Sequence, residues 1–262
     1  MEERYRDSKA DALSTRIGMS TLAIVAARWG STRLPGKVLE QIGEWTALEH
    51  CVRRVQAAVP NVVVAIPNGP KDARIAMYCR DKLRVPCFLW DGPENDVLGR
   101  FVACARDRQA DVVVRVTPDC PFVDPQMIGL LVMLQQSSGC PYVCNLPLPR
   151  PQVDGLDCEV FTRELLEETQ YRRPTRAEVR EHVSSLMRWT AQWHLVLDRP
   201  LNLHDQRIMG KPFGQDRWTL DTPADLAWFR EIAKRIDVTP PRAVTWDLVE
   251  LLNAEPQLRR YA

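Results

Sequence analysis

Five short apolar runs rich in β-branched residues, at 21–27, 62–66, 87–90, 112–116 and 142–144, alternate with segments of helical period, and this alternation constrains the chain most. Strands that alternate with helices imply a parallel sheet. The helical segments support this: residues 47–58 place Leu48, Cys51, Val52 and Val55 on one face, and 70–83 and 97–108 carry similar stripes. The expectation is an α/β fold whose ligand lies outside the carboxyl ends of the strands. The loops to read are therefore those beginning at Arg28, Pro67, Asp91 and Thr117.

The first loop, Ala26-Ala27-Arg28-Trp29-Gly30-Ser31-Thr32-Arg33-Leu34-Pro35-Gly36-Lys37, is built like a polyphosphate cradle. Gly30 and Gly36 allow backbone N–H groups to approach an anion, Ser31 and Thr32 add short donors, and Arg28, Arg33 and Lys37 supply cations. It has no acidic residue. The Walker pattern and the three-glycine dinucleotide fingerprint are both absent. A solvated Gly/Pro loop with scattered charges is the alternative.

Among 262 residues, 45% are hydrophobic and 26% charged, which suits one sizeable core, or one domain with an excursion. Basic and acidic residues nearly balance, 35 against 34, so no overall field favours nucleic acid or an anionic membrane, and anion recognition must be local. The eight cysteines form no Cys-x-x-Cys pair and read as reduced thiols of a cytoplasmic protein. No run is long enough to span a bilayer. Residues 1–18 are charged rather than signal-like and are expected to form a flexible extension, with Met19 an alternative start.

After the proline-rich residues 147–151 the pattern changes. Asp154-Gly155-Leu156-Asp157 reads as a turn into a short strand, 165–171 and 176–189 as helices, 192–197 as a strand, and 202–215 as irregular. Arg217-Trp218-Thr219-Leu220-Asp221-Thr222-Pro223 reads as a strand entering a helix capped by Thr222.

Two carboxylates complement the cationic loop. Asp119 lies just past the strand at 112–116, on the same sheet edge as Arg28, and Asp221 follows a second short apolar segment. Together with a triphosphate they could hold Mg2+, which favours carboxylate and phosphate oxygens. Either could instead be local: Asp119 a turn residue, Asp221 an acid at a helix start.

Six ordered motifs carry a family resemblance: the loop at 27–37, Glu94-Asn95-Asp96-Val97-Leu98-Gly99-Arg100, Thr117-Pro118-Asp119-Cys120-Pro121, Asp154-Gly155-Leu156-Asp157-Cys158-Glu159-Val160-Phe161, Arg180-Glu181-His182-Val183 and Leu220-Asp221-Thr222-Pro223. Over roughly residues 22–236 the chain resembles the cytidylyltransferase superfamily of CMP-sialic acid and CMP-Kdo synthetases, particularly its spore-coat-polysaccharide-type branch.

The resemblance implies a Rossmann-like nucleotidyltransferase fold with a mostly parallel central sheet. Within a domain at 19–238, residues 147–215 would form an excursion for acceptor binding and dimerisation, with 239–262 a helical tail. It implies transfer of CMP from CTP to a sugar hydroxyl with loss of pyrophosphate. Arg28 and Lys37 would meet the triphosphate, with Ala26, Ala27, Gly30, Ser31 and Arg33 supporting it. Asp119 and Asp221 would bind Mg2+, and Asp96 and Arg100 would lie near the cytosine. Asp157, Glu159 and His182 would line the acceptor side, receiving an acidic sugar, a sugar phosphate or a related molecule; His182 also suits a structural role.

The arginines between 172 and 188 could bind an acidic acceptor or form a solvated face, since Glu178 and Glu181 interleave with them. Trp189 and Trp193 suit a homodimer interface or a second small core. One departure is Pro118, where the family usually has glycine: proline removes an N–H donor and fixes φ. Other readings are another nucleotidyl transfer, such as guanylyl transfer, and an inactive nucleotide-sugar-binding protein.

Overall fold

The computed structural model describes residues 19–145, 153–172, 180–184, 187, 195–196 and 216–260. The chain begins with β1 (Thr21–Ala26), passes through the small hairpin β2 (Gln41–Ile42) and β3 (Trp45–Thr46), and enters helix α1 (Ala47–Ala58). Thr46 caps α1 by accepting the Glu49 N–H at 3.2 Å. Next come β4 (Val62–Pro67), α2 (Ala73–Tyr78), β5 (Cys87–Trp90), α3 (Val97–Asp107) and β6 (Val112–Val116). β1, β4, β5 and β6 follow the expected runs closely because they are built almost wholly of apolar residues, with Arg115 in β6 an exception. Helix α2 starts later than its stripe suggests, at Ala73, and Cys79–Leu83 continues it as a wider turn that Arg84 ends at φ 58°.

The seven-stranded sheet has the order β5-β4-β1-β6-β8-β7-β9, including β7 (Tyr142–Cys144), β8 (Glu159–Thr162) and β9 (Leu195–Val196). β5, β4, β1 and β6 are parallel neighbours. β8 runs antiparallel between β6 and β7, and β7 pairs in parallel with β9. Thus residues 159–172, within the segment read as an excursion, add β8 and helix α5 (Arg163–Tyr171) to the main sheet and its helical layer. Helix α4 (Pro125–Ser138) was not anticipated. Its apolar residues surround the axis, with Ile128 and Leu131 buried but Met133 exposed, so it shows no clear stripe.

Alternate residues of β1 feed two cores. Ala23 and Val25 pack in one that includes Leu48 and Val52 of α1 and Ile128 of α4; Leu22 and Ile24 pack in the other with Phe101 of α3 and Leu166 of α5. A third core joins Ile42, Phe122, Trp218 and Leu220 to helices α6 (Pro223–Ala233) and α7 (Thr245–Ala254). The expected cap holds: Thr222 accepts the Asp225 N–H, while Asp225 accepts the Thr222 N–H. All eight cysteines are free thiols. Among the described residues no helix is long and apolar enough to cross a membrane. The extension at 1–18, the irregular stretch at 202–215, Trp189 and Trp193, and most of the helix expected at 176–189 lie outside the described residues.

Candidate active site

Parallel pairing of β1 with β6, with Val25 opposite Val116, delivers the loops beginning at Arg28 and Thr117 to one sheet edge. The Leu220 N–H then donates to the Asp119 carbonyl at 2.8 Å, stitching the segment that carries Asp221 onto the same edge. Because β8 is antiparallel, its beginning lies there too, bringing Asp157 and Glu159 alongside. A cleft of about 790 Å³ results.

Trp29 organises the first loop. Its carbonyl accepts the N–H groups of Ser31 and Gly36 at 2.8 and 2.9 Å, and its own N–H donates to Asp72 at 2.7 Å. Gly36 has φ 73°, and a Cβ there would meet the Trp29 ring at 2.8 Å, so glycine is required for both angle and space. Arg74 lies over that ring, 5.0 Å from its centroid. The Ser31 hydroxyl accepts the Leu34 N–H at 3.4 Å, bracing the turn. The N–H groups of Gly30, Thr32 and Arg33 have no acceptor among the described residues. They form the donor-rich edge of the cradle.

Each loop cation rests against a carboxylate. Arg28 donates to Asn95 at 2.6 Å and Glu181 at 2.9 Å. Lys37 donates to Asp221 at 2.9 Å and Asp119 at 3.4 Å, and Arg33 stands 3.3 Å from Asp221. Burial alone would lower the Lys37 pKa, but the two aspartates outweigh it and leave the ammonium more basic than usual. Burial alone would likewise raise the Asp221 pKa, but Lys37, Arg33 and Arg217 hold it below the ordinary carboxylate value. The two aspartates therefore already converge on one cation. Among the described residues no group of three or more His, Cys, Asp or Glu side chains forms a metal site. Two carboxylates in a cleft that can receive phosphate oxygens match a cation that takes few protein ligands, as Mg2+ does.

The cleft is lined by Ala26, Arg28, Ser31, Arg33, Lys37, Arg100, Asp119, Asp157, Glu159, His182 and Asp221. Three of the residues anticipated from sequence do not line it: Ala27 is buried in a core, Gly30 sits against Glu94, and Asp96 caps α3 through the Gly99 N–H while accepting Arg180 at 2.5 Å. Arg100 is 1% exposed and donates to the carbonyls of Glu94 and Ala27; burial lowers its pKa to about 10. Glu159, also 1% exposed, accepts Arg115 and the Tyr142 hydroxyl, each at 2.5 Å. His182 is exposed.

Pro118 lies on the cleft wall. The sequence did not assign site roles to Asp72, Arg115, Glu181 or Thr219, because those roles arise from contacts across the fold; Glu181 and Thr219 stood only as members of quoted motifs, and Arg115 as a charge inside an apolar strand.

The fold and cleft define an α/β protein with three cations of the first loop, Arg28, Arg33 and Lys37, beside the paired carboxylates Asp119 and Asp221. A family model described as cytidylyltransferase matches residues 22–148. The spore coat polysaccharide biosynthesis protein SpsF of Bacillus subtilis is 30% identical over 243 residues, covering 90% of this chain and 95% of its own length. A 3-deoxy-manno-octulosonate cytidylyltransferase of Elusimicrobium minutum is 31% identical over 119 residues, 45% of this chain and 47% of that protein. A solved cytidylyltransferase from Leptospira borgpetersenii superposes with a TM-score of 0.75 at 26% identity, covering 92% of this chain and 96% of that one. The chain belongs to the cytidylyltransferase family.

Proposed function

We propose that this protein transfers CMP from CTP to a hydroxyl of a sugar or sugar-like acceptor, releasing pyrophosphate, in the synthesis of an activated precursor for surface glycans. The observation that carries this reading is the meeting of Lys37 with Asp119 and Asp221 beside the Arg28 loop. Arg28 would leave Glu181 for the triphosphate, and Lys37 would offset charge developing on the departing pyrophosphate. The open N–H groups of Thr32 and Arg33 would hold phosphate oxygens. Asp119 and Asp221 are the residues that would hold Mg2+, which when bound neutralises phosphate charge and eases deprotonation of the attacking hydroxyl. The protein's own work is chiefly positioning and charge placement, and no side chain need be a strong base.

The acceptor side is formed by Asp157, Glu159 and His182, with Glu159 acting through the Arg115 contact that holds it. The homodimer implied by the family resemblance is checked by sedimentation equilibrium. The mechanism itself is tested with Asp119→Asn. Turnover should fall much further than CTP affinity measured by calorimetry, and a near-normal rate would remove Asp119 from the chemistry.

A further inference from the structure

Behind Asp221, on the side away from Lys37, lies a charged network that the proposed transfer does not use. Asp225 is fully buried in the first turn of α6. One of its oxygens accepts two backbone N–H groups, from Asp221 at 2.8 Å and from Thr222 at 2.7 Å. The Thr222 bond belongs to the helix cap, whereas the Asp221 bond fixes the residue just before it. Its other oxygen meets Arg217 at 2.7 Å and is also paired with Arg260.

Arg217 is shared. The nitrogen that does not meet Asp225 donates to Thr219 at 2.8 Å and to Asp221 Oδ2 at 3.3 Å, and the Thr219 hydroxyl is itself 3.3 Å from that oxygen. Lys37 meets Asp221 on the opposite oxygen, Oδ1. Arg217 and Thr219 thus orient the carboxylate from behind, while Asp225 fixes its backbone.

The segment bearing Arg260 is firmly placed. The Arg260 carbonyl accepts the Arg217 N–H at 2.9 Å, Arg259 pairs with buried Asp216 at 3.0 Å, and the Leu258 carbonyl accepts Trp228 Nε1 at 2.7 Å. We infer that Arg260 is a positioning residue for Asp221, acting through Asp225: by meeting the buried Asp225 charge it leaves Arg217 able to serve Asp221 as well. Without Arg260, Arg217 is the remaining cation on Asp225 in this network and is drawn from Asp221 Oδ2. A solvent-facing surface pair would have no such effect, since both Asp225 oxygens are buried and committed. This inference rests on the reading of Asp221 as a metal-holding residue.

The test compares Arg260→Met, Arg260→Lys and Asp221→Asn in the full chain. Mn2+ binding is followed by electron paramagnetic resonance in the presence of a CTP analogue with a methylene bridge between its α- and β-phosphates, and unfolding by urea is recorded for each variant. Arg260→Met should weaken Mn2+ binding about tenfold, as loss of a residue supporting a metal ligand typically does. Arg260→Lys should recover much of it, and a role confined to packing would lower stability without moving metal affinity. If Arg260→Met does not fold, Arg260→Gln carries the same expectation, because it removes the charge that meets Asp225 while keeping a polar side chain beside it. Wild-type Mn2+ affinity in the folded Arg260→Met protein, with loss in Asp221→Asn, overturns the role of Arg260 alone. Wild-type affinity in Asp221→Asn overturns the metal-site reading and this inference with it.

Discussion

Replacing Glu159 with leucine would leave the Arg115 guanidinium inside the sheet without the carboxylate that neutralises it. The two residues stand opposite each other on β6 and β8, joined at 2.5 Å, with side chains 16% and 1% exposed for Arg115 and Glu159 respectively. Burial by itself would depress the Arg115 pKa, and the Glu159 charge is what keeps it raised. Removing one member of a buried pair costs about 3–5 kcal/mol, and because the Arg115 side chain retains some exposure to the cleft, about 3 kcal/mol is expected. For a chain of this size that corresponds to a fall in Tm of roughly 6–12 °C. Urea unfolding followed by tryptophan fluorescence, with calorimetry in parallel, measures it.

The double change Arg115→Met with Glu159→Leu should recover much of the loss, since an apolar pair fills the same place without a stranded charge. The reasoning fails if Glu159→Leu lies within about 0.5 kcal/mol of wild type, the range of an ordinary surface substitution. If such a protein also showed a raised acceptor KM, Glu159 would be a direct sugar contact rather than part of the sheet's charge pairing.

His50 is fully buried between the Ile42 carbonyl and Arg54, and burial lowers its pKa to about 4. The unfolded chain therefore takes up its proton first as pH falls below about 6.5, so stability present above that value should drop by about 2 kcal/mol between pH 7 and 5. Urea midpoints for wild type and His50→Gln check this, and equal pH slopes would contradict it. Gly36→Ala should destabilise the chain by about 1–2 kcal/mol, from the left-handed backbone alone, and weaken CTP binding; calorimetry reads both. Lys37→Met should reduce kcat by about 10²–10³-fold, the scale of losing one group that stabilises charge developing in a transition state, as for an oxyanion-hole donor. Glu181→Gln should tighten CTP by no more than about fivefold, since the Arg28 pair it breaks is substantially exposed and worth at most about 1 kcal/mol.

The parallel half of the sheet was legible because its central strands are buried on both faces and leave nearly continuous apolar runs, as in β1 and β4. β8 was harder to place: an antiparallel strand needs no crossover helix, so nothing in the local pattern of 159–162 says that it enters between β6 and β7. The loop at 26–37 was readable from its own glycines and cations. What holds it was not, because Asp72, Asn95 and Glu181 come from three distant segments. Asp119 and Asp221 each fit a turn or helix-start role in the sequence and pair there only as candidate Mg2+ ligands; the contacts that bring them together, the backbone bond from Leu220 to Asp119 and the shared Lys37, come from distant segments. Glu159 was readable as a charge in a motif but not as the partner of Arg115, which depends on strand register.

Pyrophosphate release from CTP, ATP, GTP and UTP, each measured with and without Mg2+ across acidic sugars, sugar phosphates and neutral sugars, tests the central claim most directly. The expected result is release from CTP in the presence of Mg2+ and one class of acceptor, with a CMP-linked product of matching mass. Equal release from GTP, or CTP binding without turnover on any acceptor, would contradict it.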